Sequence, residues 1–232
     1  VPCGVAPYER EDVRRATGET LRPGGMVLTE RALALCRFPA GARVLDLGCG
    51  TGATLARLRE VGLAAVGLDR SASLLALAEV RRVPLLAGRA ETLPLAGDCL
   101  DGVFCECVLS AVDRPEATLA EIARALRPGG LLVLADLYLR PGPAAQATAK
   151  GCAGGAVHRD ALLGRLVRQG LSPLRFEDHT PLLAELSCRL VFELGSARRV
   201  VSMITGRDPV CDGAGPRPRF GYCLVVAAKE SP

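Results

Sequence analysis

The stretch VLDLGCGTG, residues 44–52, limits what this chain can fold into more than any other. A short apolar run carries one acid, Asp46, and passes directly into glycines at alternate positions, Gly48, Gly50 and Gly52. A buried strand that ends this way leaves the following turn almost bare of side chains. Glycine permits the tight turn and lets a ligand approach the backbone. The helix that starts there adds amide donors that favour a carboxylate or a phosphate.

Around this turn the pattern alternates. ARVLDLG reads as a buried strand, ATLARLREVG as a helix, LAAVGLDRS as a second strand and SASLLALAEVRR as a helix capped by Ser71. VPLLAGRAE, the centre of GDCLDGVFCECVLSAV, and LLVLADLYL read as three further strands. A helix in RPEATLAEIARALRPGG has proline near its start and glycine after its end. Strands alternating with helices of this length imply right-handed crossovers and a parallel sheet with helices on both faces. Before this unit, residues 9–37 read as two helices around the turn LRPGGM, with Thr29 capping the second. After it come a loop or small cap over residues 140–158, a helix, the strand LSPLRFEDHT, one long helix over residues 181–203 and a last strand, FGYCLVVAAKE. The expected organisation is a single domain over residues 1–232. It comprises an N-terminal helical cap (1–38), a ligand-binding core (39–140), and a substrate-side loop with C-terminal strands (141–232).

The chain has 232 residues, 49% hydrophobic, enough for one sizeable core. Its net charge of +4 is small, its arginines are scattered, and with only 3% aromatic residues it lacks stacking platforms for bases. No apolar run reaches the roughly 20 residues of a membrane span. The N-terminal residues show no apolar leader. A soluble, cytoplasmic monomer or homodimer is expected, acting on a small molecule, with no nucleic-acid or membrane partner. Most of the ten cysteines, among them Cys36, Cys188 and Cys223, sit in apolar runs and read as small buried residues. Cys105 and Cys107 in FCECV, and Cys152 in KGCAGGAVH, are placed differently, near the strand ends.

Two cofactors suit the glycine turn. With Ala53 it fits the dinucleotide fingerprint G-x-G-x-x-G/A. Asp69, about twenty residues on, suits ribose hydroxyls in either case. Asp46 distinguishes them, because a carboxylate there opposes a pyrophosphate and suits an ammonium group. Glu91 in GRAETLPL adds a further acid to the cleft.

In order, VLDLGCGTG, VGLDRS, GRAETLPLAGDCLDGVFCECVLSAV and RALRPGGLLVLAD resemble the motifs of class I S-adenosylmethionine-dependent methyltransferases, in the branch of the ubiquinone and menaquinone enzymes. The resemblance covers about residues 40–140. It implies an α/β, Rossmann-like seven-stranded sheet, mostly parallel, whose antiparallel last strand inserts between the fifth and sixth. It also implies S-adenosylmethionine as cofactor and methyl transfer to a small acceptor. By this resemblance Gly48, Cys49, Gly50 and Gly52 hold the methionine part, and Asp46 assists its amino group. Asp69 holds the ribose, Ala90 and Glu91 border the adenine beside Arg70, and the Cys105 backbone closes on the methionine end.

A sulfonium donor asks mainly for in-line positioning, with a base only where the acceptor must lose a proton. The candidates for such work are His179, at the end of the sixth strand, and Glu106; His158 precedes a helix. Where many relatives have a histidine after the fourth strand, this chain has Ser110. The segment around Cys152 also resembles the matching part of arsenite methyltransferases, which implies Cys152 as a ligand for trivalent arsenic, a soft centre that prefers sulfur. The cysteine those enzymes carry just past the glycine loop is missing here, and Cys188 or Cys211 is left as a late ligand. No resident metal is expected. A nicotinamide-dependent oxidoreductase and a non-catalytic cofactor-binding subunit are the remaining alternatives. Tyr8 and the turn at residues 22–25 are expected to close over the site.

Overall fold

The computed structural model describes residues 7–142, 152–205 and 218–231. Helices α1 (Glu11–Thr17) and α2 (Gly25–Cys36) lead into β1 (Arg43–Leu47), α3 (Ala53–Glu60), β2 (Ala64–Asp69), α4 (Ala72–Ala78) and β3 (Leu85–Ala87). There follow β4 (Leu100–Glu106), α5 (Pro115–Ala125), β5 (Leu126–Leu139), α6 (Arg159–Arg168), β6 (Leu171–Asp178), α7 (Thr180–Leu194), α8 (Ala197–Thr205) and β7 (Phe220–Lys229).

One seven-stranded sheet runs in the order β3-β2-β1-β4-β5-β7-β6. The first five strands pair in parallel, and β7 lies antiparallel between β5 and β6, the place expected for it. Strand order reverses at β1, which pairs with both β2 and β4. In open α/β sheets this reversal opens a crevice beyond the carboxyl ends of the strands.

Successive residues of a strand face opposite sides. Leu45, Leu47, Val103 and Cys105 accordingly join the core under α5 and α6, whereas Val44 and Phe104 join the core under α2 and α3. Asp46 shares the Val44 face and is 2% exposed. A third, small cluster of Val13, Ala16, Leu190, Leu194 and Val200 holds α1 against α7 and α8. Among the described residues no helix is long and apolar enough to cross a membrane.

Four local expectations change. Helix α2 starts at Gly25, four residues before Thr29, so Thr29 is a fully buried interior residue and not a cap. Gly24, at φ +71°, opens the helix, and the Thr29 hydroxyl accepts from the Arg22 guanidinium. The long helix expected over residues 181–203 breaks at Gly195, whose φ of +69° ends α7 before α8 begins. Helix α5 stops at Ala125 and passes straight into β5, so the glycines of RPGG do not cap it. Cys188 is exposed on α7 and not in the core. Residues 143–151, in the expected loop, and Cys211 lie outside the described residues.

Gly102 in β4 is required by close approach. A Cβ there would sit 2.5 and 2.7 Å from ring atoms of Phe38. Gly102→Ala is expected to lower the unfolding free energy in denaturant titration by about 1–3 kcal/mol, the usual cost of overpacking. Adding Phe38→Leu is expected to recover part of that loss.

Candidate functional site

The crevice at the switch point is a continuous cavity, walled by the glycine turn, the ends of β1, β2 and β4, the N-terminal segment, and faces of α7 and α8. Gly48, Gly50 and Gly52 all adopt positive φ, at +72°, +52° and +75°. The amides of Gly48 and Cys49 donate to the Leu68 carbonyl at the end of β2, which fixes the turn to its neighbouring strand. Cys49 is buried, and its sulfur occupies the space over Gly67. Burial, with Asp46 and Asp69 nearby, drives its thiol far above the ordinary range.

Asp69 ends β2. One of its oxygens accepts from the Gly50 amide at 2.8 Å and the other from the Ser71 amide at 2.8 Å. It therefore holds the glycine turn in shape as well as facing the cavity. Arg70, Ala90 and Glu91 line the same end. The Arg70 guanidinium donates to the Tyr8 hydroxyl at 2.8 Å.

At the other end Asp46 is buried, and its Oδ2 has no hydrogen-bond partner among the described residues. Burial and then the nearby Glu106 push its carboxyl up to about 8, partly offset by Arg22. Glu106 ends β4 and pairs through Oε2 with Arg22 Nη2 at 2.9 Å; both side chains are buried. Arg22 also donates to the Gly25 carbonyl at 2.7 Å. Thr51 Oγ1 donates to the Glu19 carbonyl at 2.7 Å, and Leu21 packs over Gly50. Leu21 does so at φ +55°, an unusual value for a side chain of its size. The segment over residues 19–25 thus lies directly on the glycine turn, and Tyr8 and Arg22 line the cavity.

The remaining wall is apolar. Leu183, Leu186 and Leu190 recur at helical spacing on α7 and meet Met203 and Ile204 of α8 and Val13 of α1. Cys107 and Cys152 border this part. Cys107 has φ +58°, and its sulfur lies 3.1 Å from the buried Tyr222 hydroxyl. Burial raises both thiols. Ser110 Oγ lies 2.5 Å from Asp136 Oδ1 and 2.7 Å from the Cys152 carbonyl, which docks the Cys152 turn beside the end of β4.

Of the expected site residues, Asp46, Gly48, Cys49, Gly50, Asp69, Arg70, Ala90, Glu91, Glu106 and Cys152 line this cavity. Gly52, between the lining residues Thr51 and Ala53, caps the start of α3 and does not itself line the cavity. Cys105 is fully buried under α5, and its neighbours Glu106 and Cys107 form the wall instead. His179 begins α7, hydrogen-bonds Glu177 at 3.2 Å and does not line the cavity; nor does His158. Cys188 is also away from it. Among the described residues no group of three or more His, Cys, Asp or Glu side chains is arranged to hold a metal ion. The turn that holds Arg22 was expected to cover the site, but the sequence assigned its side chain no role, and Thr54 was not singled out.

A methyltransferase domain family matches residues 45–134. Demethylmenaquinone methyltransferase of Mycolicibacterium paratuberculosis is 42% identical over 96 residues, 41% of this chain and 42% of that protein. Malonyl-[acyl-carrier protein] O-methyltransferase of Pectobacterium atrosepticum is 38% identical over 110 residues, 47% of this chain and 44% of that protein. The chain thus spans less than half the length of these relatives. The crystal structure of the [4+2]-cyclase SpnF superposes with a TM-score of 0.73 at 21% identity, covering 100% of this chain and 89% of that one. Phosphoethanolamine N-methyltransferase 2 of Haemonchus contortus, in complex with S-adenosyl-L-methionine, gives 0.72 at 18% identity, covering 95% and 56%. Residues 45–134 thus match a methyltransferase domain, and the whole sheet has the fold of the superposed structures.

Proposed function

We propose that the protein binds S-adenosylmethionine in this cavity and transfers its methyl group to a small acceptor with an apolar body. The observation that carries the cofactor reading is Asp46. A fully buried carboxyl with an unpartnered oxygen calls for a donor or a cation, and the cofactor's ammonium group is both. The residues fit the rest of the group as well. The glycine turn offers bare backbone to the methionine chain, Asp69 keeps lone pairs for ribose hydroxyls, and Ala90 and Glu91 border the adenine beside Arg70. When bound, the cofactor supplies an electrophilic methyl on a sulfonium. The chain's own work is then to hold the donor, exclude water with the segment over residues 7–25, and seat the acceptor for in-line attack.

Support for an apolar acceptor comes from the wall of leucines, Met203 and Ile204. Neither histidine lines it, so proton removal, where an acceptor needs it, falls to the acceptor's own acidity. Cys107 and Cys152 on that wall favour a second reading, a thiol-bound trivalent metalloid as acceptor. A dinucleotide is disfavoured because Asp46 and Glu106 would face its pyrophosphate. A non-catalytic subunit would have no use for an enclosed acceptor wall.

Calorimetry at pH 7 with S-adenosylhomocysteine should show binding with net proton release. Asp46 starts with its carboxyl near 8, hence largely protonated, and a neighbouring ammonium pulls it down. The release should fade above pH 9 and vanish in Asp46→Asn; binding of reduced nicotinamide dinucleotide in its place would contradict the reading.

Incubation with labelled S-adenosylmethionine, excess thiol and arsenite tests the acceptor. Methylated arsenic that disappears in Cys152→Ser would establish the metalloid reading. Methyl transfer to apolar small molecules, unchanged in Cys152→Ser, is the outcome expected for the main one.

A further inference from the structure

The carboxylate expected to meet the cofactor's ammonium is not alone. Asp46 pairs with Phe104 in the β1–β4 register, and Glu106 lies two residues further along β4, on the same face. Both acids line the cavity, at 2% and 8% exposure. Each keeps one oxygen, Asp46 Oδ2 and Glu106 Oε1, without a partner among the described residues. One cation serves the pair: Arg22, 4% exposed, which reaches Glu106 Oε2 at 2.9 Å. Two buried acids against one guanidinium leave the site one positive charge short when both acids are ionised.

Arg22 also belongs to the segment that covers the glycine turn. It holds the Gly25 carbonyl at the start of α2 and Thr29 one turn further in, while Thr54 Oγ1 at the start of α3 donates to Glu106 Oε2 at 3.1 Å. Its guanidinium therefore ties the N-terminal segment to the end of β4 and, through Thr54 at 3.5 Å, to the start of α3.

Resting on the S-adenosylmethionine reading, we propose that Glu106 is a second acceptor for the cofactor's ammonium group beside Asp46, and that Arg22 is the positioning residue that balances Glu106 and pins the N-terminal segment over the bound amino-acid end. The site is then selective for a ligand that brings its own positive charge. Removing one member of a buried ion pair leaves the other uncompensated, whereas removing both together is far milder. The double variant is therefore the one that keeps the fold.

The test compares two ligands that differ only at that end: S-adenosylhomocysteine, and 5′-methylthioadenosine, which lacks the amino acid. Titration calorimetry is done with wild type, Glu106→Gln and Arg22→Met/Glu106→Gln, with thermal melts as the check on folding. S-adenosylhomocysteine affinity should fall about 10-fold or more in both variants, the scale of a lost charged hydrogen bond. Affinity for 5′-methylthioadenosine should stay within about 2-fold, since a loss confined to the amino-acid end leaves the adenosine contacts intact. A purely structural role would weaken both ligands alike, and that result overturns the assignment, as does an unchanged ratio. If wild type binds neither ligand, the cofactor reading itself falls, a result distinct from an unchanged ratio.

Discussion

Ionisable groups taken out of water must be matched, and the structure is arranged around three of them: Asp46, Glu106 and Arg22. Parallel pairing of β1 with β4 puts both acids on one face at the strand ends. The only buried guanidinium among the described residues near them arrives from the N-terminal segment, which must cross the glycine turn to deliver it. That requirement explains the bent path over residues 19–25, with Leu21, Gly24 and Gly25 all at positive φ. It also explains why α2 starts early and why Thr29 is buried inside it. Asp69 completes the arrangement by fastening the Gly50 amide, so that one acid shapes the turn while another waits at its far end.

Much of this was legible from local sequence. The alternation of strand and helix, the glycine turn and the spacing to Asp69 are short-range patterns, and each lies where it was expected. The Ser71 cap is also as read, since its hydroxyl accepts from the Leu74 amide. What escaped was long-range. Arg22 and Glu106 are 84 positions apart in sequence, and nothing local announces their pairing. His179 looked suitable because it follows a strand, yet β6 is the edge strand of the sheet, and its end lies away from the cavity. Cys105 and Cys107 stand two apart on β4, but a left-handed residue at Cys107 turns the chain at the strand end. Cys105 stays in the core, and Cys107 reaches the wall.

The family match covers residues 45–134, which include the glycine turn, Asp69 and Glu106. The wall that would seat an acceptor is built from Val13, Leu183, Leu186, Leu190, Met203 and Ile204, all outside that segment. Most of the apolar wall therefore comes from parts of the chain that the family match does not reach, with Cys107 as an exception. That a [4+2]-cyclase shares the fold makes the same point, because fold alone does not name the reaction. The chemistry has to be argued from the cavity, where a bare backbone turn, a buried acid with a free oxygen and an apolar wall meet.

The central claim is that Asp46 is buried and incompletely bonded because the amino group of a bound S-adenosyl ligand completes it. A crystal structure of the protein with S-adenosylhomocysteine tests this directly. The account predicts the ligand's nitrogen at hydrogen-bonding distance, about 3 Å, from the Asp46 carboxylate, with its chain along the glycine turn. A ligand bound elsewhere, or one whose amino group points to solvent while Asp46 stays unpartnered, would contradict it.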